Sequence, residues 1–159
     1  MTETTDTDTT TERMRALAQY VGETMNREAE FDPNVWEPGD EIPDAIREEL
    51  GSDFNTMTEE DQKDALGLAV ESWREHESGG VLDIRVEASL VDGSLIVNRV
   101  ILVLDTGGPH VEVALDDRGR GEVTTYDWFG AGRTTYPVSI GGHPLMGVVE
   151  YAIEACGSQ

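Results

Sequence analysis

The stretch VLDIRVEASLVDGSLIVNRVILVLDTGGPHVEVAL, residues 81–115, decides the fold, because here the apolar period changes to two. Leu82, Ile84, Val86, Ala88 and Leu90 alternate with Asp83, Arg85, Glu87 and Ser89, the pattern of a strand with one wet face. Asp92-Gly93 supplies the two residues of a tight hairpin turn, both with positive φ. The returning run, Leu95 to Leu104, is apolar on both faces apart from Asn98 and Arg99. That predicts a central strand with helices on one face and a partner on the other. Thr106-Gly107-Gly108-Pro109 turns the chain into a strand from His110 to Leu115.

Downstream, residues 116–121 form an acidic, glycine-containing turn, and a further strand is expected from Glu122 to Phe129. After Gly130-Ala131-Gly132, a short extended piece surrounds Tyr136 to Ile140. Pro144 then opens a closing helix with Leu145, Val148, Val149, Ala152 and Ile153 inward. Upstream the spacing is helical. Met14, Leu17, Ala18, Val21 and Met25 form one stripe that Thr9 and Glu12 can cap. Residues 31–40 read as a loop anchored by Trp36. Pro43, at a first helical position, starts a short helix that stops at Gly51. Thr58 and Asp61 open a third helix with Ala65, Leu66, Leu68, Ala69 and Trp73 inward, ending at Gly79-Gly80. The first eleven residues hold seven threonines and three acids, and predict a solvated tail. The expected class is α+β: a tail at 1–11, then one domain over 12–159. Its parts are helices to residue 80, an antiparallel meander of four to five strands over 81–143, and a closing helix over 144–157.

Charge sets the environment. The 159 residues carry 33 Asp or Glu against 11 Lys or Arg, a formal charge of −22, with Lys63 the sole lysine. Residues 1–80 hold 22 acids and 6 bases, residues 81–159 hold 11 and 5. Such a surface excludes direct binding to a phosphate backbone, which needs clustered bases. It also opposes an anionic membrane surface, and no run is long and apolar enough to span a bilayer. Apolar strands rule out a disordered acidic chain. An acid excess with almost no lysine on a foldable core resembles the proteins of salt-accumulating haloarchaea. Molar salt screens self-repulsion there while carboxylates hold hydration water. That predicts a cytoplasmic protein. Cys156 is alone, so no internal disulfide is expected.

The turn Thr106-Gly107-Gly108-Pro109, the strand Val111 to Leu115, the acidic turn 116–121 and the triplet Asp127-Trp128-Phe129 together resemble small proteins encoded in phage and plasmid genomes. The resemblance covers residues 81–130 and implies accessory mobile-element cargo with no settled chemistry.

Several groups could carry chemistry. Val103-Leu104-Asp105-Thr106-Gly107 has the form of a retroviral-type aspartic protease motif, which needs two carboxylates sharing a proton and therefore a homodimer with Asp105 from each copy. Ile140-Gly141-Gly142 could support such a loop, but Gly108-Pro109 departs from that motif. A turn in which Asp105 accepts local N–H bonds is the preferred reading. His110, His143 and Cys156 are zinc-type ligands without a compact spacing, so no metal or other cofactor is implied. Gly107-Gly108 lacks the lysine and helix start of a phosphate loop. The aromatics Trp36, Trp73, Trp128, Tyr126 and Tyr136 read as core and rim, since no bases interleave them. Glu48, Glu49, Asp53, Glu59, Glu60, Asp61 and Asp64 form an acidic helical face that could imitate a phosphate track, although salt adaptation alone accounts for it. The resulting expectation is a non-enzymatic, halophilic accessory protein, monomeric or homodimeric, that binds an unidentified protein partner. A DNA mimic and the dimeric hydrolase are the alternatives.

Overall fold

The computed structural model describes residues 2–77 and 80–157; side chains are described from Thr9 onward, without those of Glu77, Phe129 and Gly157. Helix α1 (Thr2–Glu30) is followed by α2 (Asp44–Arg47), α3 (Glu59–Glu77), strands β1 (Asp83–Val91), β2 (Ser94–Asp105), β3 (His110–Leu115), β4 (Arg120–Tyr126) and β5 (Thr134–Ser139), and helix α4 (Met146–Gly157). The five strands form one antiparallel sheet in chain order, a plain meander. The α+β architecture expected from the sequence is the one observed.

The hairpin turn is as expected. Asp92 and Gly93 have φ of 49° and 80°, and Val91 pairs with Ser94 across a two-residue loop. The register then slips by one: Ala88 faces Val97 but Glu87 faces Arg99, which leaves Asn98 as the extra residue of a bulge in β2. Asn98 Nδ2 donates to Ser89 Oγ at 2.7 Å and closes it.

One face of the sheet packs against helices. Val100, Leu102, Val111, Val113, Leu115, Val123, Val138 and Ile140 form a core with Ala18 and Met25 of α1 and Val149 and Ala152 of α4. Helix α1 lies over β4 and β5, and α4 over β2. The Thr125 hydroxyl donates to the Met14 carbonyl at 2.7 Å, and Asn26 Oδ1 accepts the Ser139 N–H at 3.0 Å, which closes the β5 edge beside Pro137. A second cluster, Trp36, Ile42, Ile46, Phe54, Leu66, Ala69, Val70 and Trp73, fills the helical segment between α1 and the sheet.

Several details differ from the sequence reading, each for a physical reason. Helix α1 reaches back to Thr2 where a tail was expected over residues 1–11. Thr10 packs against Gly132, and Arg13 reaches Asp127 at 3.5 Å, so the turn after β4 holds the helix where no apolar stripe signals it. Pro43 is the residue before α2, with φ −54° and ψ 141°, rather than its first helical position. Leu68 is 68% exposed, not inward: it lies about 200° around the helix from Leu66, and Val70 takes the inward place. The stop expected at Gly79-Gly80 falls partly outside the described residues. β4 ends at Tyr126 because Asp127 Oδ1 accepts the Trp128 N–H at 2.8 Å and starts a 3₁₀ turn. The closing helix begins at Met146, two residues after Pro144.

The largest difference concerns β1. Its alternation is real, but α1 lies over β4 and β5 and α4 over β2, and β1 is exposed along nearly its whole length. One wet face was expected; both are largely exposed, with Val86 alone half-buried against the core.

Candidate functional site

Two features of the sheet stand out chemically: its outer face and its β1 edge. On the outer face, away from the helices, charged side chains form cross-strand pairs. Arg99 Nε donates to Glu87 Oε2 at 2.6 Å, and its Nη1 approaches Glu122 Oε1 at 3.7 Å. Arg85 Nη2 donates to Glu112 Oε2 at 3.2 Å. The Arg99 guanidinium holds the Glu87 carboxyl below its usual range, and Glu87 in turn raises Arg99. The His110 ring stacks on Tyr126 at 4.4 Å, with Arg133 5.3 Å from the far ring. His110 Nε2 lies 3.4 Å from Glu112 Oε1, off the line of a hydrogen bond, and is buried without a hydrogen-bonding partner.

The second feature is apolar. Leu82, Ile84, Leu90, Val91, Leu95 and Ile96 are all exposed, Leu90 by 75% and Leu82 by 60%. Six of the eleven exposed large hydrophobic residues so described fall within fifteen consecutive positions. Leu82, Ile84, Leu90 and Leu95 lie on the face toward the helices and Val91 and Ile96 on the other, so both faces of the hairpin carry exposed apolar side chains. Charge agrees. Residues 84–101 carry two acids, Glu87 and Asp92, and two arginines, Arg85 and Arg99, a net charge of zero in a chain of −22. The acid excess is low over this hairpin, as it is over residues 128–149, which hold one arginine and no acid.

The residues singled out in the sequence are dispersed. Asp105 ends β2, exposed, and accepts the Gly107 N–H at 3.0 Å, a local turn bond. Asp105→Asn should retain most of that bond and cost about 1 kcal/mol in a urea melt. An equal or higher stability, with loss of a peptide-cleaving activity, would instead mark half of a catalytic pair. His110 is on the outer face, His143 is buried below the opposite end of the sheet, and Cys156 sits unpaired near the end of α4. Among the described residues no group of three or more His, Cys, Asp or Glu side chains is arranged to hold a metal ion.

The acidic face is partly committed to internal bonds. The Ser72 hydroxyl donates to Glu49 at 2.7 Å and His76 lies 3.2 Å away, which together hold the Glu49 carboxyl below its usual range. Glu59 pairs with Lys63, and Asp53 precedes the 3₁₀ turn Phe54–Thr56. Glu48, Glu60, Asp61 and Asp64 project to solvent. An open cleft of about 460 Å³ lies between α1 and residues 41–47. Its Arg27 and Arg47 are outnumbered by Glu30, Glu41 and Asp44, so its lining gives no excess of positive charge to hold an anion.

At the junction of the two clusters His143 is fully enclosed. Its Nε2 contacts Glu28 Oε1 at 3.1 Å, its Nδ1 accepts the Leu145 N–H at 3.1 Å, and its ring meets Trp73 edge-on at 5.3 Å. A Cβ on Gly142 would strike the Ala29 carbonyl, so glycine is required where this loop passes the end of α1. The arrangement is a joint between the two clusters.

The sheet with one helix-covered face and one charge-paired face, whose centre at Val103, Glu112, Ala114 and Thr124 is itself buried, defines an α+β protein. The chain matches no protein-family model, no curated protein and no solved structure. No described helix is long and apolar enough to cross a membrane.

Proposed function

We propose that this is a non-enzymatic binding protein of a salt-rich cytoplasm, accessory in the manner of mobile-element cargo, that engages a protein chain through the β1–β2 hairpin. The observation that carries the reading is the coincidence of exposed apolar side chains with a low charge on that hairpin, where residues 84–101 sum to zero and Asp83 and Asp105 bring the whole of it to −2. A surface of −22 keeps like-charged macromolecules apart, so an interface on such a protein must be depleted in acid. Salt adaptation accounts for acids elsewhere but gives no reason to place Leu90 and Ile96 in water.

The test is recovery from the salt-rich host. Tagged wild type and a Leu90→Asp/Ile96→Asp variant are purified in about 2 M KCl, a range in which long-range repulsion is screened. Both positions are exposed, so the variant should melt within about 0.5 kcal/mol of wild type. The wild type should retain a stoichiometric chain, which includes an untagged copy of itself, and the variant should retain none. Equal recovery by both would refute the reading.

A further inference from the structure

Resting on the hairpin reading, the structure assigns β1 one occupant: the β1 strand of a second copy, paired antiparallel about a two-fold axis through Val86. The sheet has two edges. At the β5 edge Asn26 takes the Ser139 N–H and Pro137 has none to offer, whereas among the described residues β1 has no neighbour beyond β2 and contains neither proline nor lysine to block pairing.

The charges of β1 then choose the register. In an antiparallel pair about a two-fold axis, residues opposite one another share a face. With Val86 opposite Val86 of the partner, Arg85 falls opposite Glu87 twice, Ile84 opposite Ala88, Asp83 opposite Ser89, Leu82 opposite Leu90 and Val81 opposite Val91. Every charged residue meets an opposite charge or a hydroxyl, and every apolar residue meets an apolar one. A shift of the axis to Arg85 sets Arg85 against itself and Asp83 against Glu87. A shift to Glu87 sets Glu87 against itself. Moving it to Ile84 keeps one charge pair but leaves Ala88 to Val91 unpaired. The register about Val86 is the one that uses the whole strand without like-charge contact.

It also joins the ion pairs of the two outer faces. Within each copy Arg85 pairs with Glu112 and Glu87 with Arg99, so the cross-axis Arg85–Glu87 contact links four charged side chains on either side. On the other face the exposed Leu82, Ile84 and Leu90 become neighbours of their counterparts. Edge pairing alone covers less than the roughly 800 Å² per partner of a standard interface, and these flanking residues extend it. Two copies of −22 repel strongly in dilute buffer, so association should tighten as KCl rises.

Sedimentation at protein concentrations of roughly 1–100 µM, which brackets micromolar dissociation constants, tests the pairing directly on the wild type. A dimer is expected at about 2 M KCl, weakening toward about 0.1 M. Arg85→Glu should raise the dissociation constant at least about tenfold by creating two acidic pairs, and adding Glu87→Arg should recover most of it. In a Cys156→Ser background with a mild added oxidant, Val86→Cys should cross-link across the axis, since opposed Cα atoms about 4.5–5.5 Å apart suit a disulfide. Ser89→Cys should not, because it would lie about 20 Å from its counterpart. A monomer at molar salt overturns the proposal, as does a dimer that cross-links through Ser89→Cys and not Val86→Cys. Should the monomer still retain a different host chain in a hairpin-dependent way, pairing with a second copy falls while the hairpin reading stands. Should it retain nothing, both fall.

Discussion

Raising KCl from about 0.1 M to about 2 M should lift the melting temperature by about 10 °C or more. The source is self-repulsion. Residues 1–80 alone carry 22 acids against 6 bases, and at low ionic strength those charges interact over a Debye length of about 10 Å. At 1 M that length is about 3 Å, less than the spacing of most exposed carboxylates. Salt also weakens the surface pairs Arg47–Asp44 and Lys63–Glu59, but exposed pairs of this kind contribute at most about 1 kcal/mol each. Repulsion among many acids outweighs loss of few pairs, so the sign is stabilising. At 2–4 °C per kcal/mol for a chain of this size, relief of about 4 kcal/mol gives the stated shift. Circular-dichroism melts at the two salt concentrations check it, and a salt-independent midpoint would remove the argument for a salt-rich environment.

His143→Ala should be the most damaging single change, about 3–5 kcal/mol in a urea melt at molar KCl. It deletes a ring with no solvent contact, strips the Leu145 N–H of its acceptor and leaves the buried Glu28 carboxylate without its donor. Loss of the Trp73 edge contact adds to the void. Glu28→Gln keeps an oxygen acceptor for Nε2 and should cost only about 1 kcal/mol. The contrast between the two variants is the check. Similar small losses from both would mean that the joint contributes little to holding the helical cluster against the sheet.

Much of the architecture was legible because local signals agreed with the fold. Asp92-Gly93 specified its own turn, and the period-two pattern on either side supplied the first strands. The charged outer face was not legible, and the reason is one residue. Carried straight back from the turn, the register sets Glu87 opposite Asn98 and Val86 opposite Arg99, on the helix-covered face. The bulge at Asn98 restores Val100 to the core and brings Arg99 to Glu87, and nothing in a single sequence announces a bulge. Asn98 and Arg99 interrupting an otherwise apolar run were the visible trace of it. The exposure of β1 was hidden differently. Its apolar alternation is the same whether a helix or a second chain covers it, so periodicity reports a face to be buried but not the occupant. The threonine-rich start of α1 read as a tail because the contact of Thr10 is with a turn more than a hundred residues away.

That distance has a consequence for biosynthesis. Each strand pairs with its neighbour in the chain, so the sheet can zip from the Asp92-Gly93 turn through closures of a few residues, which are entropically cheap and fast. Helix α1 cannot. The Thr125 hydroxyl that grips the Met14 carbonyl lies 111 residues downstream. At roughly 5–20 residues per second, the ribosome delivers the docking surface of α1 about 5–20 s after the helix itself. Through that interval the stripe of Met14, Ala18 and Met25 has no sheet to cover it. The first helix made waits for strands that are among the last to be made.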